Sequence, residues 1–250
     1  MIPRVIHCFW FGGKPFDSMS EKCIESWKKY CPDYQIRIWN ESNYDITKNQ
    51  YMKQAYDSGK YGFMVDYARL DVIYRYGGIY LDTDVELLKS LDELLDNKCF
   101  MGFETEKTVA LGLGFGAEPK NDTIYSLLSY YEDVEFILPN GSLNLRPSPG
   151  IQTEVLKKIG MIPNGEEQTI GDGCHIYPKC VFNPCDIDTR IITIEEKTIS
   201  IHHYAGSWLT KKNQRNTKLY SLIARFGGIN IAKKIRRAYK GIKRKIKNIV

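Results

Sequence analysis

The chain has 250 residues, of which 43% are hydrophobic and 26% charged, and its formal net charge is +5. This composition is ordinary for one globular domain and excludes a chain that is disordered over its whole length. No stretch approaches the roughly eighteen apolar residues of a membrane-spanning helix, and the aromatic opening MIPRVIHCFW is too short for the apolar segment of a signal peptide. The seven cysteines are an odd set without regular spacing. We therefore expect a cytoplasmic protein with reduced thiols.

Strand-like and helix-like segments alternate over the first eighty residues. The runs RVIHCFW and YQIRIW read as strands, and a helix from Ser20 to Tyr30 lies between them, begun by a serine cap. A long helical region follows from Tyr51 to Tyr76, interrupted near Gly59 and Gly62, and it ends at the pair Gly77 and Gly78. This alternation predicts an α/β protein with a single mixed sheet flanked by helices.

The next part of the chain continues the same alternation. It contains a strand around CFMGFE, the glycine-alternating run LGLGFG, a helix over 122–131, the loop LRPSPG, a helix over 152–159 and a final strand TISIHHY. The glycines of LGLGFG do not follow the G-x-G-x-x-G spacing of dinucleotide-binding turns. Close backbone packing in the sheet is therefore the better interpretation of that run.

Two carboxylates one residue apart, Asp82 and Asp84, come directly after the short apolar strand Ile79–Leu81. Sheets of this class bind their ligands just outside the carboxyl ends of the strands. Two like charges at this spacing either repel each other or share a cation, and a hard divalent ion resolves the conflict. A pair of solvated loop acids is the alternative for an isolated D-x-D triplet.

A second polar pair precedes the acids. Asp66 and Arg69 are three residues apart and therefore share one face of the predicted helix. Aspartate can accept hydrogen bonds from sugar hydroxyls, and arginine can bind phosphate or hydroxyl oxygens. Together with a metal-binding acid pair, these groups can hold a nucleotide sugar. A surface ion pair is the alternative, which we would favour if the acid pair were absent.

Three motifs in one order resemble a known family. The run YGGIYLDTDV is similar to the core of the family 32 glycosyltransferases, which include capsular polysaccharide enzymes and yeast mannosyltransferases and are related to the glucosylating clostridial toxins. The opening IPRVIHCFWFGG and the closing IHHYAGSW resemble the start and the end of that family's motif set. The resemblance covers about residues 2 to 208.

The resemblance implies a GT-A fold, a Rossmann-like fold that binds nucleotide sugars, and a Mn²⁺ or Mg²⁺ cofactor. It implies retaining transfer of a hexose or N-acetylhexosamine from a nucleoside diphosphate sugar, with a UDP-sugar favoured, to a glycan acceptor. The expected setting is bacterial capsular or surface polysaccharide synthesis.

The resemblance also implies roles for individual residues. Trp10 would stack on the nucleobase, Asp66 and Arg69 would hold the sugar, Tyr80 and Asp82 would contact ribose and sugar, Asp84 would bind the metal together with Asp82, and Trp208 would close over the diphosphate. Catalysis would depend on Asp82, Asp84 and Arg69.

The final strand offers one more metal ligand. Successive strand residues point to opposite faces, so only one of His202 and His203 can reach the ion. The spacing of His203 to Gly206 and Trp208 resembles the H-x-x-G pattern of related GT-A enzymes and favours His203. His202 remains its rival.

The C-terminal segment has a different character. From Ile231 onward there are nine basic residues and no acid, with isoleucines at roughly helical intervals between them. A basic amphipathic helix of this kind can lie on an anionic membrane surface. We therefore predict a glycosyltransferase domain over 1–225 and a membrane-associating tail over 226–250, peripheral at the inner face of the cell membrane, with a lipid-linked glycan as a candidate acceptor.

Two other classes of function remain open from the sequence. A sugar- or nucleotide-binding module would have the same pocket without turnover. A nucleic-acid-binding arm would also explain the basic tail, but the apolar stripe would serve no purpose on a phosphate backbone, so we expect no nucleic-acid partner.

Overall fold

The computed structural model describes residues 1–186, 189–205, 222–228, 231, 234–236 and 238. The chain divides into two units, of which the first comprises residues 1–184 and 195–203 and the second residues 185–194 and 204–250. Trp208 and most of the predicted tail helix lie outside the described residues. The predicted division at residues 225 and 226 stays a prediction.

The first unit contains short strands separated by helices. In chain order they are β1 (Val5–Phe9), α1 (Ser18–Tyr30), β2 (Gln35–Trp39), α2 (Gln50–Asp57), α3 (Tyr61–Tyr76), β3 (Gly78–Tyr80), β4 (Val85–Leu87), β5 (Cys99–Gly102), β6 (Phe115–Ala117), α4 (Asp122–Ser129), α5 (Ser148–Lys158), β7 (Gln168–Ile170), β8 (Cys174–Tyr177), α6 (Lys179–Phe182) and β9 (Ser200–His202). Two 3₁₀ turns, Asp92–Leu94 and Leu111–Leu113, complete the set.

Seven of the strands form one mixed sheet in the order β2-β1-β3-β6-β5-β8-β7. Strand β1 pairs in parallel with β2 and β3, whereas β6 runs antiparallel to both β3 and β5. The predicted α/β class, with a mixed sheet flanked by helices, is confirmed, and the GT-A fold stays a prediction. The prediction of a single sheet was wrong in one respect, because β4 and β9 form a separate antiparallel ladder.

Helix α1 begins earlier than the sequence suggested. Its cap is Asp17, whose carboxylate accepts a hydrogen bond from the backbone N–H of Ser20. Aspartate satisfies an otherwise unpaired N–H of the first turn as well as serine does, and two capping residues lie close together here. The interruption predicted near Gly59 is confirmed, because α2 and α3 are separate helices and Gly59 has a φ of 65°.

Helix α5 also begins earlier than predicted, at Ser148 instead of Gln152. The segment SPG had the composition of a loop, but Pro149 occupies the first turn, where a residue without a backbone N–H leaves no hydrogen bond unmade. The first turn of α5 therefore carries side chains that the sequence had assigned to a loop.

The turn from α3 into β3 depends on glycine. Gly77 has a φ of 65°, and a Cβ atom there would lie 2.7 Å from Cδ of Pro119. The helix stop predicted at Gly77 is confirmed, and the chain enters β3 at once. Ile79, fully buried in β3, anchors the strand in the core by roughly 1.5–3 kcal/mol.

A buried histidine ties this turn to the sheet. Nε1 of Trp39 on β2 donates to Nδ1 of His7 on β1 at 3.0 Å, so the proton of His7 is on Nε2, which donates to the Gly77 carbonyl at 3.0 Å. Burial lowers the pKa of His7 to about 4, against a weaker raising effect of the Gly77 hydrogen bond. His7 is therefore a neutral link between two strands and the end of α3.

In the second unit, residues 222–227 are helical, with Leu222 and Phe226 exposed. Ile231 and Ile235 are exposed as well. Among the described residues, no helix has the length and apolar character needed to cross a membrane.

We expect the His7 link to make folding pH-dependent. The unfolded chain takes up a proton at His7 near pH 6.5 but the folded chain only near pH 4, so the free energy of unfolding falls as the pH drops through this window, by up to about 3 kcal/mol. Urea denaturation at pH 7.5 and pH 4.5 measures the loss. His7→Gln, which cannot titrate, should show a smaller difference between the two pH values, whereas His175→Gln should keep the wild-type difference. Equal losses in wild type and His7→Gln would contradict the assignment.

Candidate active site

The candidate site lies at the carboxyl edge of the parallel strands β1, β2 and β3. Trp10 directly follows β1, and Asp82 lies two residues beyond β3. Because parallel neighbours end at the same edge, the segments after these strands come together there. The predicted position of the acid pair at a strand end is therefore the position observed.

Three ligating side chains converge at this edge. Asp82, Asp84 and His202 each offer one atom within 4.8 Å of the others. Nε2 of His202 lies 3.1 Å from Oδ1 of Asp84 and 3.9 Å from Oδ2 of Asp82. The cluster depends on the small second sheet, since β9 pairs with β4 and sets His202 opposite Val85, the residue after Asp84.

The charges in this cluster affect one another. Burial raises the pKa of Asp82 and the neighbouring Asp84 carboxylate raises it further, with Arg69 acting in the opposite direction. Burial by itself would lower the pKa of His202, but attraction to Asp84 outweighs it and the pKa is raised. Two oxygen ligands and one imidazole nitrogen thus face each other, and a divalent cation between them would relieve the repulsion of the acids.

His203 has a different environment. Its Nε2 lies 2.7 Å from Oε2 of Glu86, and its backbone N–H donates to the carbonyl of Asp84. The prediction that His202 and His203 face opposite ways agrees with this geometry. The structure brings His202 to the acid pair, and it directs His203, the residue that the sequence favoured, to Glu86 on the other face of the β4–β9 ladder.

Arg69 joins the two predicted polar pairs. One terminal nitrogen, Nη2, donates to Asp66 and to the Ser148 hydroxyl at 3.1 Å, and the other, Nη1, lies 3.9 Å from Oδ1 of Asp82. The Tyr80 hydroxyl donates to the same Asp82 oxygen at 2.5 Å. Both Asp66 and Arg69 are buried, so the alternative of a surface ion pair is wrong. Burial raises the pKa of Asp66 to about 6, with Arg69 opposing the rise.

Of the two predicted tryptophans, Trp10 lies among the described residues. Trp10 is partly exposed, its indole N–H donates to the carbonyl of Lys14 at 2.6 Å, and its ring packs against Phe16 with centroids 4.7 Å apart. Trp10 is held at the carboxyl edge of the parallel strands, but its role in base stacking stays a prediction. Trp208 lies outside the described residues.

Sequence reasoning missed two residues that shape the site. Ser148, at the start of α5, contacts Arg69 and was assigned to a loop. Gly112 lies against the acid pair, because a Cβ atom there would be 2.6 Å from Oδ2 of Asp82 and 3.5 Å from Nη1 of Arg69. The alternating glycines were the available signal. Their interpretation as close backbone packing in the sheet is confirmed for Gly116 on β6, whose Cβ would lie 3.0 Å from the Gly78 carbonyl oxygen. Gly112 lies in a 3₁₀ turn outside the sheet, and its close contacts are with side chains of the site.

Residues 17–101 match a family model described as the glycosyltransferase sugar-binding region containing a DXD motif. This range includes Asp66, Arg69, Tyr80, Asp82 and Asp84. The match agrees with the family resemblance found in the sequence: residues 17–101 are similar to the DXD-containing sugar-binding region of glycosyltransferases.

Two relatives from Schizosaccharomyces pombe are similar over part of this chain. Inositol phosphoceramide mannosyltransferase 1 is 28% identical over 134 residues, which are 51% of this chain and 42% of the relative. Inositol phosphoceramide mannosyltransferase 3 is 33% identical over 102 residues, which are 38% of this chain and 27% of the relative. The chain therefore spans less than half the length of the curated relatives it matches.

Two solved structures are also similar. The PaToxG glycosyltransferase has 20% identity and a TM-score of 0.48, over 63% of this chain and 69% of its own. A glycosyltransferase involved in the glycosylation of the major capsid of PBCV-1 has 12% identity and a TM-score of 0.44, over 86% and 98%.

We expect Gly112→Ala to disrupt the acid pair. The added methyl group would displace the Asp82 carboxylate and weaken Mn²⁺ binding in the presence of UDP by about tenfold or more, a loss of about 1.4 kcal/mol that calorimetry can measure. Gly150→Ala on α5 is the matched control, because its Cβ would meet no atom within 4 Å. If Gly112→Ala bound Mn²⁺ as tightly as Gly150→Ala, the close approach would have no bearing on the site.

Proposed function

We propose that this chain is a metal-dependent glycosyltransferase that moves a hexose or N-acetylhexosamine from a nucleoside diphosphate sugar to a glycan acceptor. One observation carries the proposal: the cluster of Asp82, Asp84 and His202 lies beside the buried Arg69–Asp66 pair, and the two acids and this pair belong to the residues that match the sugar-binding family model.

The cluster fits a divalent cation. Two carboxylates suit Mg²⁺ and Mn²⁺ equally, whereas an imidazole ligand is more usual for transition metals. Asp84, Asp82 and His202 would hold the ion, and of the two cofactors expected from the sequence this ligand set favours Mn²⁺. When bound, such an ion neutralises the charge that develops on the departing nucleoside diphosphate.

The remaining residues of the site have roles that their contacts support. Tyr80 donates to Oδ1 of Asp82 and so fixes this carboxylate with Oδ2 towards His202. Arg69 is buried and held by Asp66 and Ser148, so its positive charge is oriented before any ligand arrives. We propose that Arg69 and Asp66 bind the transferred sugar and that Arg69 also stabilises charge near the diphosphate.

Base recognition and closure remain part of the proposal. Trp10 would stack on the nucleobase from its position after β1, and Trp208 would cover the diphosphate. Transfer with retention follows from the family resemblance, and no nucleophile is assigned to it.

The donor sugar is proposed as a class. A UDP-hexose is favoured by the family resemblance, and the mannosyltransferase names of the two relatives make mannose a second candidate. A bacterial surface polysaccharide is the proposed product.

We further propose that the tail holds the enzyme at the inner face of the membrane, where a lipid-linked acceptor would be available. Leu222, Phe226, Ile231 and Ile235 are exposed apolar residues, and Arg225 and Lys234 accompany them. Basic and apolar groups together are suited to an anionic bilayer surface.

The first test is a donor screen. UDP-glucose, UDP-galactose, their N-acetylamino forms and GDP-mannose are each added with Mn²⁺ or with EDTA, and thermal shift and slow hydrolysis are measured. We expect one donor to stabilise the protein and to be hydrolysed only with Mn²⁺.

Asp84→Asn separates catalysis from binding in the same screen. This variant should lose at least about a hundredfold in hydrolysis, because it removes a charged ligand of the proposed ion. Asp33→Asn, an exposed loop residue, is the control and should match wild type. Donor binding without any hydrolysis in wild type would favour the non-catalytic binding module, and no binding of any donor would refute the proposal.

The tail is tested separately, with vesicles that contain anionic lipid and with vesicles of zwitterionic lipid alone. We expect the full chain to sediment with the anionic vesicles only, and Lys243→Glu combined with Lys245→Glu and Lys247→Glu to abolish this, because each basic residue contributes about 1 kcal/mol near such a surface. The charge-conserving Lys→Arg triple variant is the control. Binding to duplex DNA in place of vesicles would support the rejected nucleic-acid alternative.

A further inference from the structure

We propose that Gln152 determines donor-sugar specificity by donating a hydrogen bond from its side-chain amide to a hydroxyl oxygen of the transferred sugar. The inference rests on the proposed function and names a contact that neither the sequence motifs nor the family match assigns.

The side-chain amide of Gln152 offers a buried hydrogen-bond donor, Nε2. Gln152 lies on α5 with 1% of its surface exposed, and its Oε1 accepts a hydrogen bond from the N–H of Leu111 at 3.1 Å. Within the part of the chain that the structure describes, no group accepts a hydrogen bond from its Nε2. Because the amide is planar and its oxygen is held, the nitrogen is fixed too. An unsatisfied buried donor is energetically unfavourable, so a ligand that accepts this hydrogen bond would recover that cost.

Gln152 also lies beside residues that belong to the candidate site. Gln152 lies four residues after Ser148 on the same face of α5, and the Ser148 hydroxyl accepts a hydrogen bond from Arg69. On its other side Gln152 holds Leu111, which precedes Gly112, the residue packed against Asp82 and Arg69. The amide is thus hydrogen-bonded to the residue directly before the glycine that packs against Asp82.

Two more buried polar groups at the Asp66–Arg69 pair also lack a hydrogen-bond partner among the described residues. These groups are Nε of Arg69 and the hydroxyl of Tyr131. The Tyr131 hydroxyl is close enough to Asp66 and Arg69 to interact electrostatically with both. An N–H donor and a hydroxyl at this ion pair, with the Gln152 amide on the neighbouring helix α5, suit a ligand that carries several hydroxyl groups, as a hexose does.

A contact of this kind would act on specificity more than on affinity for the nucleotide. Epimeric hexoses differ in the direction of one hydroxyl group, and a site built to pair with a hydroxyl discriminates strongly against a ligand that leaves the partner unpaired. A well-ordered buried water at Nε2 is the competing occupant, and it would give Gln152 a structural role only.

The experiment compares ligands that differ only in the sugar. Binding of UDP, UDP-glucose, UDP-galactose, GDP and GDP-mannose is measured by calorimetry with Mn²⁺ at pH 8. Gln152→Glu keeps the acceptor for Leu111 and removes the donor, and Gln152→Met removes both at similar length. Gln35→Glu, an exposed strand residue, is the control.

We expect Gln152→Glu and Gln152→Met to bind the preferred sugar nucleotide about tenfold more weakly and to bind the bare nucleoside diphosphate within about twofold of wild type. Discrimination between hexoses should fall in both variants. Gln35→Glu should leave all affinities unchanged.

Other outcomes overturn the inference. Equal weakening of sugar nucleotide and bare nucleotide would make Gln152 a structural support of the Leu111 turn, and unchanged affinities would assign its amide to a buried water. A further outcome is that wild type binds every sugar nucleotide no more tightly than it binds the bare nucleoside diphosphate. In that case the specificity role of Gln152 would fail, while a nucleotide site would remain. If wild type bound no nucleotide, the proposed function would fail with it.

Discussion

The site is organised by the repulsion between two carboxylates that the fold forces together. Asp82 and Asp84 are one residue apart in the partly buried turn between β3 and β4, and their carboxylates lie close to the same point. The neighbouring side chains contact these carboxylates: Arg69 and Tyr80 contact one oxygen of Asp82, and His202 contacts Asp84. A protein that arranged these groups for stability alone would gain more from apolar packing. The presence of the cluster therefore favours a ligand at this point.

Burial also fixes the orientation of the side chains beside the acid pair. Arg69 is enclosed with Asp66 and Ser148, so the guanidinium has one position, and the 3₁₀ turn at Gly112 closes against it without a side chain of its own. The structural elements that hold these groups are α3, α5 and the carboxyl edge of the main sheet. A ligand entering here would meet charges whose ordering cost was already met during folding.

Much of this could be predicted from local sequence, and the failures have a common cause. Strands β1 and β2, the glycine stop after α3 and the position of the acid pair follow from patterns only a few residues long. The separate β4–β9 ladder and the selection of His202 over His203 depend on which strands pair across the chain, which periodicity does not encode. The early start of α5 was hidden because Pro149 and Gly150 have the composition of a loop. The same misassignment concealed Ser148.

The three-residue pairing of β4 with β9 also sets the order in which the site can come into existence. Asp84 is synthesised early and His202 late, and most of the main sheet is encoded between them. Closing so long a segment is entropically unfavourable until the intervening strands have already folded. A nascent chain on the ribosome would thus display its acids long before it acquired the imidazole. The complete ligand set is consequently a property of the finished protein, and a fragment that ended before β9 would lack it however well its remaining strands were formed.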